Sequence, residues 1–167
     1  MKFKKIFVTV GTTEFSDLIS KLAEPATYEV LKNKLGCEEL TVQMGQGEKI
    51  DFSHFDGVKV EVFSMKNSIA DEIEAADLVI SHAGAGTCID VLSRGKFLLV
   101  VINDTLMHNH QTELAEQLAE DNYLFHTTVQ NLPEALKTFD KTKLKTYEKG
   151  NVGKFIEYLD NAMGFSQ

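Results

Sequence analysis

The sequence reads Leu78-Val79-Ile80-Ser81-His82-Ala83-Gly84-Ala85-Gly86-Thr87 where an apolar run meets a segment with helical spacing. The run is short and rich in aliphatic residues, which favours a buried strand. The predicted helix that follows covers Thr87 to Arg94. A strand, a glycine-rich turn and a helix in this order direct free backbone N–H groups and the positive end of a helix dipole at one place. The segment therefore predicts an anion site, and a phosphate is the anion that suits it.

The rest of the chain repeats the alternation of short apolar runs with longer segments of helical period. This alternation is typical of a parallel sheet covered by helices on both faces, so the predicted fold class is α/β, with one Rossmann-like domain. The predicted strands are Lys5–Val10, Leu40–Met44, Val58–Phe63, Leu78–Ser81, Leu98–Ile102 and Tyr123–Phe125. The predicted helices are Asp17–Leu35 with a break near Pro25, Ser68–Ala76, Thr87–Arg94, Asn109–Asp121, Leu132–Phe139 and Gly153–Met163.

Composition excludes several classes of protein. The net charge of -8 argues against nucleic acid as the main partner, because binding a polyanion depends on lysine and arginine. The chain has 167 residues, and we expect residues 1–167 to form a single domain.

Cys37 and Cys88 have no metal-type spacing and fit a reducing compartment. The apolar run Ile6–Val10 is too short for a signal sequence or a membrane span, so a cytoplasmic location is expected.

Ligands of an open parallel sheet bind beyond the carboxyl ends of its strands. Small polar residues follow four of the predicted strands: Gly11-Thr12-Thr13, Gly45-Gln46-Gly47, His82–Thr87 and Asn103–Gln111. Tight turns alone also favour glycine, but three such loops at one edge favour a binding site that leaves room for a ligand. The sequence has neither G-x-G-x-x-G after the first strand nor a Walker A loop, so the usual dinucleotide and ATP sites are not expected.

These motifs resemble the donor-binding domain, the C-terminal half, of GT-B glycosyltransferases of family 28. Within that family they resemble the small catalytic subunits of dolichol-linked UDP-N-acetylglucosamine transferases. The resemblance covers about residues 3 to 126 and rests on several motifs in the same order. They are Phe7–Thr13, Ser81–Thr87, Asp90, Val101-Ile102-Asn103 and Asn109-His110-Gln111.

The resemblance implies a role for each matching position. The donor diphosphate is expected at Gly11, Thr12, Thr13, His82, Gly84, Ala85, Gly86 and Thr87. Asp90, which is one methylene shorter than the family's usual glutamate, is expected at the ribose. The uracil is expected at Phe63 and Ser64, and the transferred sugar at Asn109, His110 and Gln111. His82 and His110 are the candidates for a catalytic role, although the general base could belong to another chain.

The resemblance further implies transfer of N-acetylglucosamine from UDP-N-acetylglucosamine to dolichyl-diphosphate-N-acetylglucosamine, the second step of lipid-linked oligosaccharide assembly for N-glycosylation. The chain is long enough for one Rossmann-like domain only, so a membrane-anchored subunit is expected to bind the lipid-diphosphate acceptor at the cytosolic face of the endoplasmic reticulum. Residues 150–167 are expected to form a C-terminal helix that docks on this partner or packs on its own sheet. The sequence contains no Asp-x-Asp pair, so neither a metal nor a cofactor is expected.

Alternatives remain open from the sequence. The chain could be a subunit of a split bacterial-type exopolysaccharide glycosyltransferase, or a non-catalytic nucleotide-sugar binding module. A lysine tract covers Lys137–Lys154 and contains only two acids, Asp140 and Glu148. This lysine tract is either a solvated surface or a contact with an anionic membrane or an acidic partner.

Overall fold

Six parallel strands form one sheet in this computed structural model, which describes residues 2–48, 50–103 and 110–147 and omits the side chains of residues 110 and 111. The strand order is β3-β2-β1-β4-β5-β6. The strands are β1 (Lys5–Thr9), β2 (Glu39–Gln43), β3 (Lys59–Phe63), β4 (Leu78–His82), β5 (Phe97–Ile102) and β6 (Phe125–Thr128). This order is that of a doubly wound Rossmann sheet, in which the winding direction reverses between β1 and β4.

Helices connect most of the strands and cover both faces of the sheet. They are α1 (Ser16–Ala23), α2 (Pro25–Glu29), a π-helix (Val30–Leu35), α3 (Ala70–Ala75), α4 (Ala85–Ser93), α5 (His110–Glu120), α6 (Leu132–Thr138) and a 3₁₀ turn (Lys141–Lys143). No helix within the described residues is long and apolar enough to cross a membrane.

Alternation along the strands produces two buried cores. Ile6 and Val8 of β1 face the core beneath α1, the π-helix and α6, whereas Phe7 faces the core beneath α3, α4 and α5. Successive side chains of a strand point to opposite faces, so each central strand supplies both cores. The apolar runs in the sequence therefore have the length and composition of strands buried on both sides.

The predicted secondary structure is confirmed except at particular boundaries. The expected break near Pro25 is present, because Pro25 begins α2 after the extended residue Glu24. The last strand was predicted at Tyr123–Phe125 but covers Phe125–Thr128, and only Phe125 is common to both. The reason is that Tyr123 ends α5, where its N–H donates to Leu118 O at 2.9 Å after Asn122 turns with a φ of 64°. The predicted helix at Gly153–Met163 lies outside the described residues.

The connection from β2 to β3 departs from the usual strand–helix–strand pattern. The described residues between these strands contain no helix. Instead, Phe52, Phe55 and Val58 insert into the core beneath α1, where the Phe55 ring lies 4.6 Å from that of Tyr28. The opposite face of β2 and β3 consequently carries polar side chains such as Thr41 and Glu61.

Candidate functional site

The candidate site lies where the sheet reverses its winding direction, beyond the carboxyl ends of β1 and β4. Thr9 and Ser81 are register partners at the ends of these two strands. The loop Gly11-Thr12-Thr13 leaves β1 and the turn Ala83-Gly84 leaves β4, so the two segments adjoin each other. A crevice at this position is the general ligand site of open α/β sheets.

The amino end of α4 faces the crevice without a side-chain cap. Gly84 precedes the helix in an extended conformation and, as a glycine, has no side chain that could cap the first turn. The first α-helical hydrogen bond is donated by Cys88 to Gly84 O at 3.0 Å. The N–H groups of Ala85, Gly86 and Thr87 come before it and have no α-helical acceptor, so they are available to an anion together with the helix dipole.

Gly86 lies beside open space. A Cβ atom built on Gly86 would have no heavy atom within 4 Å, and the residue is exposed. Its helical backbone conformation does not require glycine. Because neither backbone strain nor internal packing explains a glycine here, the observation fits a ligand that approaches the first turn closely.

Gly11 and Gly84 serve a different purpose from the one expected. We predicted that the glycines leave room for a ligand, but the space beside these two is filled by the imidazole of His82. A Cβ on Gly84 would lie 2.5 Å from His82 Nε2, and one on Gly11 would lie 2.9 Å from His82 Cε1. Glycine therefore admits the histidine ring at both positions, and at Gly11 the φ of 63° favours glycine as well. The diphosphate role of the two glycines stays a prediction.

His82 is enclosed between the two loops and is uncharged at neutral pH. Burial lowers the pKa of His82, and an interaction with the Thr9 backbone opposes that shift in part. Nδ1 is buried and has no hydrogen-bond partner within the described residues. A half-buried ring with an unpaired nitrogen next to an anion site can take up a proton when a negative ligand arrives.

This lowered pKa predicts a pH dependence of stability. The unfolded chain binds more protons than the folded chain below the ordinary histidine pKa of about 6.5. The free energy of unfolding should therefore fall as the pH decreases below that value, by up to about 1.4 kcal/mol per pH unit for this one group. Urea unfolding of the wild type and of His82→Gln at a series of pH values measures it. The wild-type curve should fall more steeply toward acid pH than the His82→Gln curve, and parallel curves would contradict a lowered pKa of His82.

The two threonines of the loop after β1 differ in whether their hydroxyl groups are hydrogen-bonded within the described residues. Thr13 Oγ1 donates to Val10 O at 2.8 Å, and Gly11 N–H donates to Thr9 Oγ1 at 3.0 Å. The exposed Thr12 forms no side-chain hydrogen bond within the described part of the chain, so its hydroxyl can reach a ligand. Of the two threonines predicted at the diphosphate, Thr13 thus fixes the loop and Thr12 is open to the crevice.

A buried polar row beneath the crevice was not predicted from the sequence. Thr9, Gln43 and Ser81 end neighbouring strands and are all buried. Thr9 Oγ1 donates to Gln43 Oε1, and Ser81 Oγ donates to the carbonyl of His82 at 2.9 Å. Buried polar groups are kept where their hydrogen bonds are satisfied, so this row fixes the ends of the strands that carry the loops. The available signal was a polar residue at the end of each of three apolar strands.

Phe63 and Ser64, predicted at the uracil, end β3 at the same edge. Their carbonyl oxygens accept the N–H groups of Met44 and Gly45 at 2.9 and 3.0 Å. The Phe63 ring stacks on Phe7 with centroids 6.4 Å apart. These contacts hold the loop after β2 against β3, and the role at the uracil stays a prediction.

The remaining predicted positions are only partly described. Asp90 lies on α4, where its Oδ1 accepts a hydrogen bond from Arg94 Nε at 2.9 Å, so any contact with ribose would involve a carboxylate already paired. Asn109 lies outside the described residues, as do the side chains of His110 and Gln111 at the start of α5. Within the described residues there is no group of three or more potential metal ligands.

Comparison with known proteins assigns the chain to a family. The sequence matches the glycosyltransferase family 28 C-terminal domain over residues 5–158. A Cryptococcus neoformans protein named UDP-N-acetylglucosamine transferase subunit ALG13 is 31% identical over 194 residues, which cover 96% of each chain. The chain therefore belongs to glycosyltransferase family 28, among the ALG13 subunits. This confirms the family predicted from the motifs.

A human relative and two solved structures complete the comparison of this family 28 chain. The human UDP-N-acetylglucosamine transferase subunit ALG13 is 46% identical over 127 residues, which are 75% of this chain but only 11% of the human protein. The solution structure of ALG13 matches with a TM-score of 0.69, 24% identity and coverage of 95% and 96%. MurG from Acinetobacter baumannii matches with a TM-score of 0.64 and 22% identity over 86% of this chain and 43% of that chain. These likenesses confirm the predicted fold class.

Proposed function

We propose that the chain binds UDP-N-acetylglucosamine at the crevice between β1 and β4 and supplies the donor half of a two-subunit N-acetylglucosaminyltransferase. The observation that carries the proposal is the uncapped amino end of α4, with open space at Gly86, in a chain of the ALG13 family. The proposed acceptor is dolichyl-diphosphate-N-acetylglucosamine at the cytosolic face of the endoplasmic reticulum. The reaction would be the second step of lipid-linked oligosaccharide assembly.

The diphosphate is the part of the donor that the described geometry suits best. In the proposed complex its oxygens accept hydrogen bonds from the N–H groups of Ala85, Gly86 and Thr87 and from the Thr12 hydroxyl. When the sugar leaves, negative charge grows on the departing phosphate oxygen, and preorganised donors stabilise it. Hydrogen bonds to a charged group contribute roughly 1.5 to 3 kcal/mol each, and the helix dipole adds about 0.3 to 2 kcal/mol.

His82 has a second role in this proposal. Its Nε2 edge lies against Gly84, next to the proposed phosphate position. A neutral imidazole that becomes protonated when the diphosphate binds would place a positive charge beside the leaving group without the cost of a buried charge in the free chain. Asp90 remains the proposed ribose contact, Phe63 and Ser64 the uracil contacts, and Asn109, His110 and Gln111 the sugar contacts.

A partner subunit is part of the proposal. The described residues form one sheet, and the match to MurG covers only 43% of the MurG chain. The relatives are named as subunits of a transferase. We therefore infer that a membrane-anchored subunit supplies the acceptor half and that residues 150–167 contribute to docking.

A transfer assay with and without the partner tests the proposed function. The purified chain alone should bind UDP weakly and transfer no N-acetylglucosamine to a lipid-diphosphate acceptor. Transfer should appear when the membrane protein that co-purifies with the chain is added, and EDTA should not reduce it. Full transfer by the chain alone would overturn the two-subunit proposal. Donor binding without transfer in any co-purified complex would instead favour a non-catalytic binding module.

A further inference from the structure

A second cavity lies at the opposite rim of the sheet, near the amino ends of β5 and β6. Its volume is about 180 Å³, several times the roughly 30 Å³ that one water molecule occupies in the liquid. Its walls contain three lysines, two tyrosines and no acidic residue. The residues used below are Lys96, Lys141, Lys145, Tyr123, Tyr147 and Gly95.

Two of the three lysines are not neutralised within the described part of the chain. Lys141 Nζ lies 5.6 Å from the ring centroid of Phe97 and 5.9 Å from that of Phe3, and it forms no ion pair there. Lys145 likewise forms no ion pair with a described carboxylate, while its backbone N–H donates to Asn122 O at 2.8 Å. Lys96 differs, because its ammonium donates to the Glu74 carbonyl and lies 3.9 Å from the Glu74 carboxylate. The cavity therefore has an excess of positive charge.

Tyr147 adds a neutral donor to the same cavity. Its side chain is 7% exposed, and its hydroxyl is buried without a hydrogen-bond partner within the described residues. The ring packs edge to face on Tyr123 with centroids 5.3 Å apart, which fixes its position. A buried hydroxyl with no partner is rare in folded proteins, so it points to an acceptor that binds there.

We propose that this cavity binds a phosphoryl group. A phosphoryl group has up to two negative charges and three acceptor oxygens, so it can satisfy both unpaired lysines and the Tyr147 hydroxyl together. The site is separate from the proposed donor site, because its residues lead into β5 and β6 whereas the donor loops follow β1 and β4. The phosphoryl group can belong to a phospholipid headgroup or to a soluble phosphate, and the experiment below distinguishes the two sources.

Titration of the full chain with inorganic phosphate at constant ionic strength tests the site. Amide signals of Gly95, Lys145 and Tyr147 should shift in ¹H–¹⁵N NMR spectra, and UDP-N-acetylglucosamine, which has no terminal phosphoryl group, should not prevent the shift. Lys145→Gln should weaken binding about three- to tenfold and Tyr147→Phe about threefold. Lys143→Gln is the matched control, because it removes the same charge from an exposed side chain that does not line the cavity.

Vesicles of phosphatidylcholine with and without phosphatidic acid identify the source. Cosedimentation that needs phosphatidic acid and is weakened by Lys145→Gln but not by Lys143→Gln supports a headgroup. Phosphate binding with the same variant pattern but no vesicle binding supports a soluble phosphate. The proposal is overturned if phosphate leaves these amide signals unchanged, or if Lys143→Gln weakens binding as much as Lys145→Gln. Gly86→Val should leave phosphate binding at this cavity intact, so failure here is distinct from failure of the donor site.

Discussion

Gly86→Val should abolish UDP binding while the chain stays folded. The valine side chain would occupy the open space beside Gly86, and it would separate the diphosphate from the first turn of α4. Loss of two charged hydrogen bonds, at roughly 1.5 to 3 kcal/mol each, corresponds to an affinity at least about 100-fold lower. Isothermal titration calorimetry with UDP measures the affinity.

Two variants control for effects on the helix. Gly86→Ala adds one methyl group and should reduce affinity less than valine does, because less of the space is filled. Both replacements should leave the melting temperature unchanged or slightly raised, because glycine is the less favourable helix residue by about 0.3 to 1 kcal/mol. Ser93→Val, at the other end of α4, should leave UDP binding unaffected. Equal affinity for UDP in wild type and Gly86→Val would exclude the first turn as the diphosphate site.

Gly45→Ala should cause the largest loss of stability among single changes near the crevice. Gly45 has a φ of 62°, and a Cβ there would lie 2.0 Å from the carbonyl oxygen of Thr13. That oxygen also accepts the N–H of Gln46 at 3.3 Å, so the Gly11-Thr12-Thr13 loop would have to move. Backbone strain together with this displacement should lower the free energy of unfolding by about 2 to 4 kcal/mol. Urea denaturation gives the value.

Gly36→Ala separates the two causes. Gly36 has a similar φ of 72°, but a Cβ there would meet only the flexible side chain of Lys2, at 3.2 Å from Cγ. Its cost should be the backbone term alone, about 1 to 2 kcal/mol. If Gly45→Ala and Gly36→Ala lowered the free energy of unfolding by the same amount, the clash with the Thr13 carbonyl would add nothing to the backbone strain.

The sheet could be predicted from the sequence because its strands are buried on both faces. Runs such as Leu98–Ile102 have no polar residue, and such runs separated by helical segments indicate a parallel sheet. The start of β6 was predicted too early for a local reason. Tyr123 is a residue type common in strands, but here it belongs to the turn that ends α5. The boundary is set by Asn122, which has a positive φ. The dipeptide Asp121-Asn122 does not by itself predict that conformation.

The site was predicted in location but not in its internal packing. The order of motifs placed the glycine loops at one edge, yet it did not show that His82 fills the space beside Gly11 and Gly84. The contact with Gly11 depends on the distance between two loops about seventy residues apart in sequence, whereas Gly84 is only two residues from His82. The pairing of Asp90 with Arg94 has the i, i+4 spacing of a helical ion pair and could have been predicted from it.

The most direct measurement is the map of amide shifts when UDP-N-acetylglucosamine, which has no terminal phosphoryl group, is added to the ¹⁵N-labelled chain. Binding at the amino end of α4 should shift Ala85, Gly86 and Thr87 most, with Gly11 and Thr12 beside them, and should leave Gly95 and Lys145 unchanged. Shifts confined to the cavity at the opposite rim, with none in the first turn of α4, would contradict a donor diphosphate bound between β1 and β4.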